Sequence, residues 1–230
     1  MHWTNIGLIL IAGLHLGTAV LVLLRNPKNK INFSFFLGVF ALSVWVLITA
    51  LFRLTPNLEL AGIFYQLKLS FGLLVVVFLQ IFTLFFPYQK KRVNLFSQFL
   101  IITPSIITLF FIVFLPHYTI EKILLNPGQN LIMVNKVFWG LYSFSFTLNF
   151  IFGFYHLFSR LKDSGGFLRI QLNFIIVSFL IPAIFAWFFN IVFPFFDNFA
   201  NDWIGAFLTA ILSLVILYFI FFGGKKIYIR

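Results

Sequence analysis

His15 and Lys68, side chains able to carry a proton or a metal, lie within long apolar stretches of this sequence, and the amides Asn149 and Asn190 lie in similar surroundings. A charge at membrane depth is costly, so its default reading is a ligand anchor or counter-ion. Lys68 is the only charged residue inside an apolar run. Counting about 20 residues back from Phe86, the length that crosses a bilayer, sets it near the outer surface, where its stem lets the charge snorkel to water. Snorkelling is the reading this spacing favours over a ligand role. His15 sits near the middle of the first run with no second histidine three or four residues away on it. Hydrogen bonding to a neighbouring helix is favoured over haem or metal ligation. Asn149, Pro182 and Asn190 read as bundle glue or helix kinks. His15, Lys68, Asn149 and Asn190 stand as the ligand-binding candidates.

The chemistry that is absent narrows the function. The sequence has no Cys, no His-Glu-x-x-His pair, no Gly-x-Ser-x-Gly elbow and no carboxylates paired at helical spacing. These absences predict no catalytic residues, no metal, no cofactor and no enzymatic activity. No Asp or Glu falls inside an apolar run, which argues against ion-coupled transporters and proton pumps, since these place carboxylates at membrane depth. The last run also lacks the Schiff-base lysine that a microbial-type retinal protein needs.

These residues must be positioned by helices in lipid. Hydrophobic residues make up 62% and charged residues 9% of 230 positions, against roughly 25% charge in soluble domains. Phe occurs 37 times, and bulky rings suit lipid-facing helices and interfacial belts. Seven runs reach bilayer-crossing length: about Ile6 to Leu24, Phe33 to Phe52, Leu60 to Phe86, Phe96 to Leu115, Val137 to Phe158, Ile170 to Phe193 and Trp203 to Phe222. The connections are short, the longest running from Pro116 to Asn135, and none holds a soluble domain. The expectation is an all-α fold: one domain, residues 1–230, built as an integral membrane bundle of seven transmembrane helices.

Orientation follows from the loops. Arg25, Lys28, Lys30, Lys90, Lys91, Arg92, Arg160, Lys162, Arg169, Lys225, Lys226 and Arg230 gather on one side, which is 12 of 16 basic residues. Arg53, Lys68, Lys122 and Lys136 fall on the other, with the acids Glu59, Glu121, Asp197 and Asp202. Positive residues stay cytoplasmic, so the N-terminus is expected outside and the C-terminus in the cytoplasm of a multi-pass cell-membrane protein. Met1 to Asn5 lack the basic region of a cleavable signal peptide. The net charge of +11 is scattered between apolar runs, which excludes a nucleic-acid partner. Lys90, Lys91, Arg92, Lys225 and Lys226 read as anchors to anionic headgroups.

Gly13 and Gly17 form a Gly-x-x-x-Gly step with Ala12 alongside. A close contact within the bundle is favoured, with a homodimer seam as the alternative. On the outside, Trp3, His117, Tyr118, Asp197, Asp202 and Trp203 read as an aromatic belt with solvated loop charges, the alternative being the rim of a pocket.

The stretch Leu21 to Phe36, with its basic turn Arg25-Asn26-Pro27-Lys28-Asn29-Lys30 and with Asn32 before an aromatic run, is followed by Leu42-Ser43-Val44-Trp45. It resembles the start of the seven-helix N-terminal region of bacterial histidine kinases. Thr83-Leu84-Phe85-Phe86-Pro87 is similar to that family's Phe-Pro ending of the third helix, and Tyr218 to Arg230 to the segment by which it leaves the membrane. In the kinases a coiled coil and catalytic domains follow, whereas eight residues follow Phe222 here. The resemblance therefore implies a sensor or receptor-like input module without catalytic activity, its partners being the bilayer and a cytoplasmic signalling protein or in-frame signalling domain. Two alternatives stand beside it: a small channel or carrier with a polar path through His15, Asn149 and Asn190, and a structural subunit of a membrane complex. Richness in Phe, Ile, Asn and Lys points to an AT-rich prokaryotic genome.

Overall fold

The computed structural model describes residues 3–87, 95–126, 128, 130–196 and 201–221. Its helices are α1 (Trp3–Arg25), α2 (Lys30–Leu54), α3 (Leu58–Phe85), α4 (Leu95–Phe114), α5 (Lys136–Lys162), α6 (Gly166–Trp187), α7 (Phe193–Phe195), α8 (Asp202–Leu208) and α9 (Ala210–Phe221). Five helical stretches are long and apolar enough to cross a membrane: α1, α2, α3, α5 and the run Leu168–Phe195. Two apolar stretches are shorter among the described residues, Gln98–Phe114 and Asp202–Tyr218.

Asparagine starts three of the helices. The side-chain oxygen of Asn29 accepts from Ile31 N, that of Asn57 from Leu60 N, and that of Asn135 from Val137 N and Phe138 N, each satisfying amides that a helix start leaves without partners. Apolar periodicity alone begins these helices one to three residues late, at Phe33, Leu60 and Val137, because the cap and first turn are polar. In the basic turn between α1 and α2, Asn32 Nδ2 also donates to Asn26 O at 3.4 Å.

Two irregularities interrupt the last apolar runs. Residues Phe188–Val192 between α6 and α7 form a π-turn. Pro194 has no N–H to give the Asn190 carbonyl four residues back, and Phe193 N bonds to Phe188 O instead, closing the wide turn. The final run divides at Thr209, where Thr209 N bonds to Ala206 O and Leu212 N to Thr209 O in a tightened turn.

Helix α1 packs on α2, α2 on α3, α3 on α5, α5 on α6, α6 on α8 and α9, and these on α1, which closes a ring; α4 lies outside it against α3 and α5. Cross-helix contacts give the directions. Arg53 near the end of α2 meets Asn5 near the start of α1, so these two run antiparallel. Tyr142 meets Leu69 and Arg160 meets Leu84, so α3 and α5 run parallel. One end of the ring holds the α1–α2 and α5–α6 turns and the basic residues between them. The other carries the Pro116–Asn135 connection, which is folded rather than open: a 3-10 turn at Pro116–Tyr118, then β1 (Ile120–Leu124) paired antiparallel with β2 (Leu131–Val134). Ile132 and Val134 are buried with Phe52, Ala61, Tyr65 and Phe138. Asn130 Nδ2 donates to Phe52 O at 2.7 Å and Thr55 O at 2.8 Å, tying the hairpin to the end of α2.

Candidate functional site

At the hairpin end, four helices meet through three charged side chains and one amide. Asp202 opens α8; its Oδ1 accepts from Arg53 Nη1 of α2 at 2.7 Å and its Oδ2 from Lys68 Nζ of α3 at 2.5 Å. Asn5 of α1 completes the group, its Oδ1 accepting from Arg53 Nε at 3.2 Å. Lys68, Arg53 and Asp202 are only 6%, 5% and 3% exposed. Lys68 Nζ also stands 5.8 Å from the ring centroids of Phe52 and Tyr65, within cation–π range. Two corrections follow. Lys68 does not snorkel to water but is buried and paired. Asp202 is not a solvated loop charge: it provides the carboxylate that Lys68 requires, since a cation removed from water needs a partner. The apolar-run count missed it because Asp202 lies one residue before the run it belongs to, and folding carries it into the bundle.

A small cavity of about 20 Å³ adjoins this cluster, lined by Lys68, Asp202, Trp45, Tyr65, Trp139, Tyr142 and Asn190 among others. That is room for roughly one water. A larger cavity of about 90 Å³ occupies the centre of the ring, walled mainly by apolar side chains of α2, α3, α5 and α6, and it reaches Thr209 and Leu212. Trp45, Tyr142 and Asn190 line both. Asn190 is presented by the π-turn, and neither its Nδ2 nor its Oδ1 has a partner among the described residues. Buried amide groups are nearly always hydrogen-bonded, so this amide is poised for an occupant. Gly72 lets the wall close. A methyl there would lie 2.8 Å from the Tyr142 hydroxyl and 3.1 Å from Trp45 Nε1. Gly205 allows α8 to approach in the same way, since a methyl there would sit 2.7 Å from Asn190 Nδ2.

The sequence candidates divide between places. Lys68 and Asn190 line the small cavity together. His15, fully buried, bonds to Ser213 Oγ at 2.7 Å through Nδ1 and to Thr209 Oγ1 at 2.8 Å through Nε2, joining α1 to α9. Thr209 gives its own proton to Ala206 O. Nε2 of a neutral ring therefore donates to Thr209, and Nδ1 accepts from Ser213. His15 reaches the large cavity only through Thr209. Asn149 is elsewhere, on α5 facing α4, where it donates to Ser105 Oγ and Ser145 O, both at 2.8 Å. The polar path drawn through His15, Asn149 and Asn190 is therefore not continuous.

The other expected features fare differently. Among the described residues Gly13 and Gly17 make no close contact: a methyl at either would meet nothing within 4 Å. Ala12 carries the packing instead, with Ser43 Oγ donating to its carbonyl at 2.7 Å. The external rim splits, Trp3 meeting Trp203 edge to face at 6.2 Å while His117 and Tyr118 pair at 4.2 Å. Asp197, Lys90, Lys91, Arg92, Phe222, Lys225, Lys226 and Arg230 lie outside the described residues. Sequence reasoning missed Arg53, Asn5, Trp45, Tyr142 and Gly72 as site residues. The signal for Arg53 was its position, an arginine at a helix end on the side otherwise rich in acids. No protein-family model, curated protein or solved structure matches the chain.

Proposed function

We propose that this chain is a membrane sensor module of seven transmembrane helices, N-terminus outside and C-terminus cytoplasmic, which binds a small molecule in its central cavity and passes the change to a cytoplasmic partner. The observation that carries the reading is the interior cavity, joined by an unpartnered amide to a buried ion cluster that links four helices. Occupancy there bears on α2, α3, α5 and α6 together, and an occupant shifts a population only if it fits one helix packing better than another. The π-turn and the Thr209 break supply turns with alternative hydrogen-bond partners. The resemblance to the seven-helix input region of histidine kinases supports the same reading, as Trp45 of the resembling stretch lines the cavity. Catalysis forms no part of it.

The test uses the absence of cysteine from the sequence. Spin labels at Lys28→Cys and Lys162→Cys, both exposed at the basic end, report the spacing between the α1–α2 turn and the end of α5. Ala183→Leu fills part of the cavity from α6 without touching the ion cluster and stands in for an occupant. The sensor reading expects the label distance distribution to shift in that variant. An unchanged distribution, with the fold intact, counts against it.

A carrier is the second reading, and the buried Asp202 favours it, because a carboxylate paired with lysine inside a helical bundle is the kind of group that ion-coupled carriers use. Solute flux in proteoliposomes that Asp202→Asn abolishes would promote it over the sensor.

A further inference from the structure

The ion cluster is not neutral. Among the described residues, Arg53 and Lys68 bring two positive charges to the single carboxylate of Asp202. All three are almost wholly buried. An uncompensated charge removed from water is costly, and an anionic occupant offsets it. Lys68 has three N–H groups, and one of them is taken by Asp202 Oδ2. Its side chain lines the small cavity, where Asn190 offers an amide N–H without a partner among the described residues. A cation would add to the excess positive charge, so the chemistry that fits the small cavity is an acceptor bearing negative charge.

The rest of the ligand is set by the apolar cavity. A six-carbon ring occupies an apolar cavity of about 150 Å³. The central cavity, at about 90 Å³, therefore takes a tail of roughly three or four carbons. Asn190 borders both spaces and stands where head and tail join.

We infer that the cavity pair binds a short-chain monocarboxylate, one carboxylate oxygen entering the small cavity against Lys68 and the Asn190 amide and its alkyl tail lying in the central cavity. The inference rests on the sensor reading only in placing the ligand in the same chamber.

The experiment titrates the full chain in nanodiscs with sodium butyrate at fixed pH and ionic strength, against butan-1-ol, butyramide and butylammonium. Tryptophan fluorescence reports binding, as Trp45 and Trp139 line the small cavity. The expected result is saturable binding of butyrate at least tenfold tighter than that of butan-1-ol or butyramide, with none for butylammonium. Lys68→Met, which keeps the Arg53–Asp202 pair, and Ala183→Leu, which occupies the tail space, each weaken it at least tenfold. If Lys68→Met does not fold, Asn190→Leu, which keeps all three charges, carries the same expectation. Equal binding of butan-1-ol, undiminished binding by the folded Lys68 or Asn190 variant, or no saturable response to butyrate overturns the inference. The label distances separate the two proposals. Butan-1-ol that binds like butyrate and shifts the distances defeats the carboxylate and keeps the sensor; butyrate that binds tightly and shifts nothing keeps the carboxylate and defeats the sensor.

Discussion

Asp202 has two partners, Arg53 and Lys68, while each of them has one carboxylate to share, so the three residues are not equivalent under mutation. Asp202→Asn leaves two buried cations facing each other and is expected to cost about 3–5 kcal/mol, the range for breaking a buried ion pair by removing one side. Lys68→Met leaves a one-to-one pair and is expected to cost clearly less. Unfolding of the two variants in the same detergent checks the order, and equal losses would mean that Asp202 is not the centre of the network. Gly72 answers to packing rather than charge. Gly72→Ala presses a methyl against the Tyr142 hydroxyl and the Trp45 indole, an overpacking expected to destabilise by about 1–3 kcal/mol and visible as a lower midpoint in the same assay.

The hairpin and α1 show what elements add. The β1–β2 hairpin buries Ile132 and Val134 against Phe52 and Tyr65, whose rings stand beside Lys68, so it covers the ion cluster. Its tie to the bundle is Asn130, which bonds to two carbonyls at the end of α2. Asn130→Ala leaves those acceptors without that donor, a loss of about 1–3 kcal/mol where no water replaces it. Faster amide exchange across Ile120–Val134 is the expected readout, and unchanged exchange would show that apolar contacts hold the hairpin alone. On α1 the outcome is the opposite. A methyl at the exposed Gly17 meets nothing within 4 Å among the described residues, and Gly17→Leu is expected to change the stability of the single chain by no more than about 0.5 kcal/mol, as is usual for surface positions.

Over the whole molecule, the charge distribution makes a prediction about sidedness. Lys122 on the hairpin and Lys28 in the basic turn lie at opposite ends of the ring and are both exposed. Retention of positive loops in the cytoplasm expects a membrane-impermeant thiol reagent to label Lys122→Cys in intact cells and Lys28→Cys only after lysis. The reverse pattern would invert the bundle and place the covered ion cluster on the cytoplasmic side.

The helices themselves were legible in the sequence, because helix in lipid requires only an apolar run long enough to satisfy its own backbone. The run limits fall within a few residues of the helices, the offsets coming from polar caps such as Asn29 and Asn135. Lys68 and Asn190 were legible as candidates for a similar reason, since a polar group in an apolar run is anomalous wherever the run packs. Their partners were not. Lys68 and Asp202 are 134 positions apart, His15 and Ser213 198 apart, and nothing local to either residue encodes which helix will face it. Gly13 and Gly17 fail in the same way: small residues permit a close contact, but the orientation of α1, fixed by Asn5, Ala12 and His15 facing inward, decides whether the bundle makes it. Composition and hydropathy marked out the apolar helices of this protein but not the β1–β2 hairpin or the π-turn. Only tertiary packing decided that one lysine and one arginine share an aspartate beside the Asn190 amide, because pairing, burial and cavity are properties of surfaces brought together and not of any one of them.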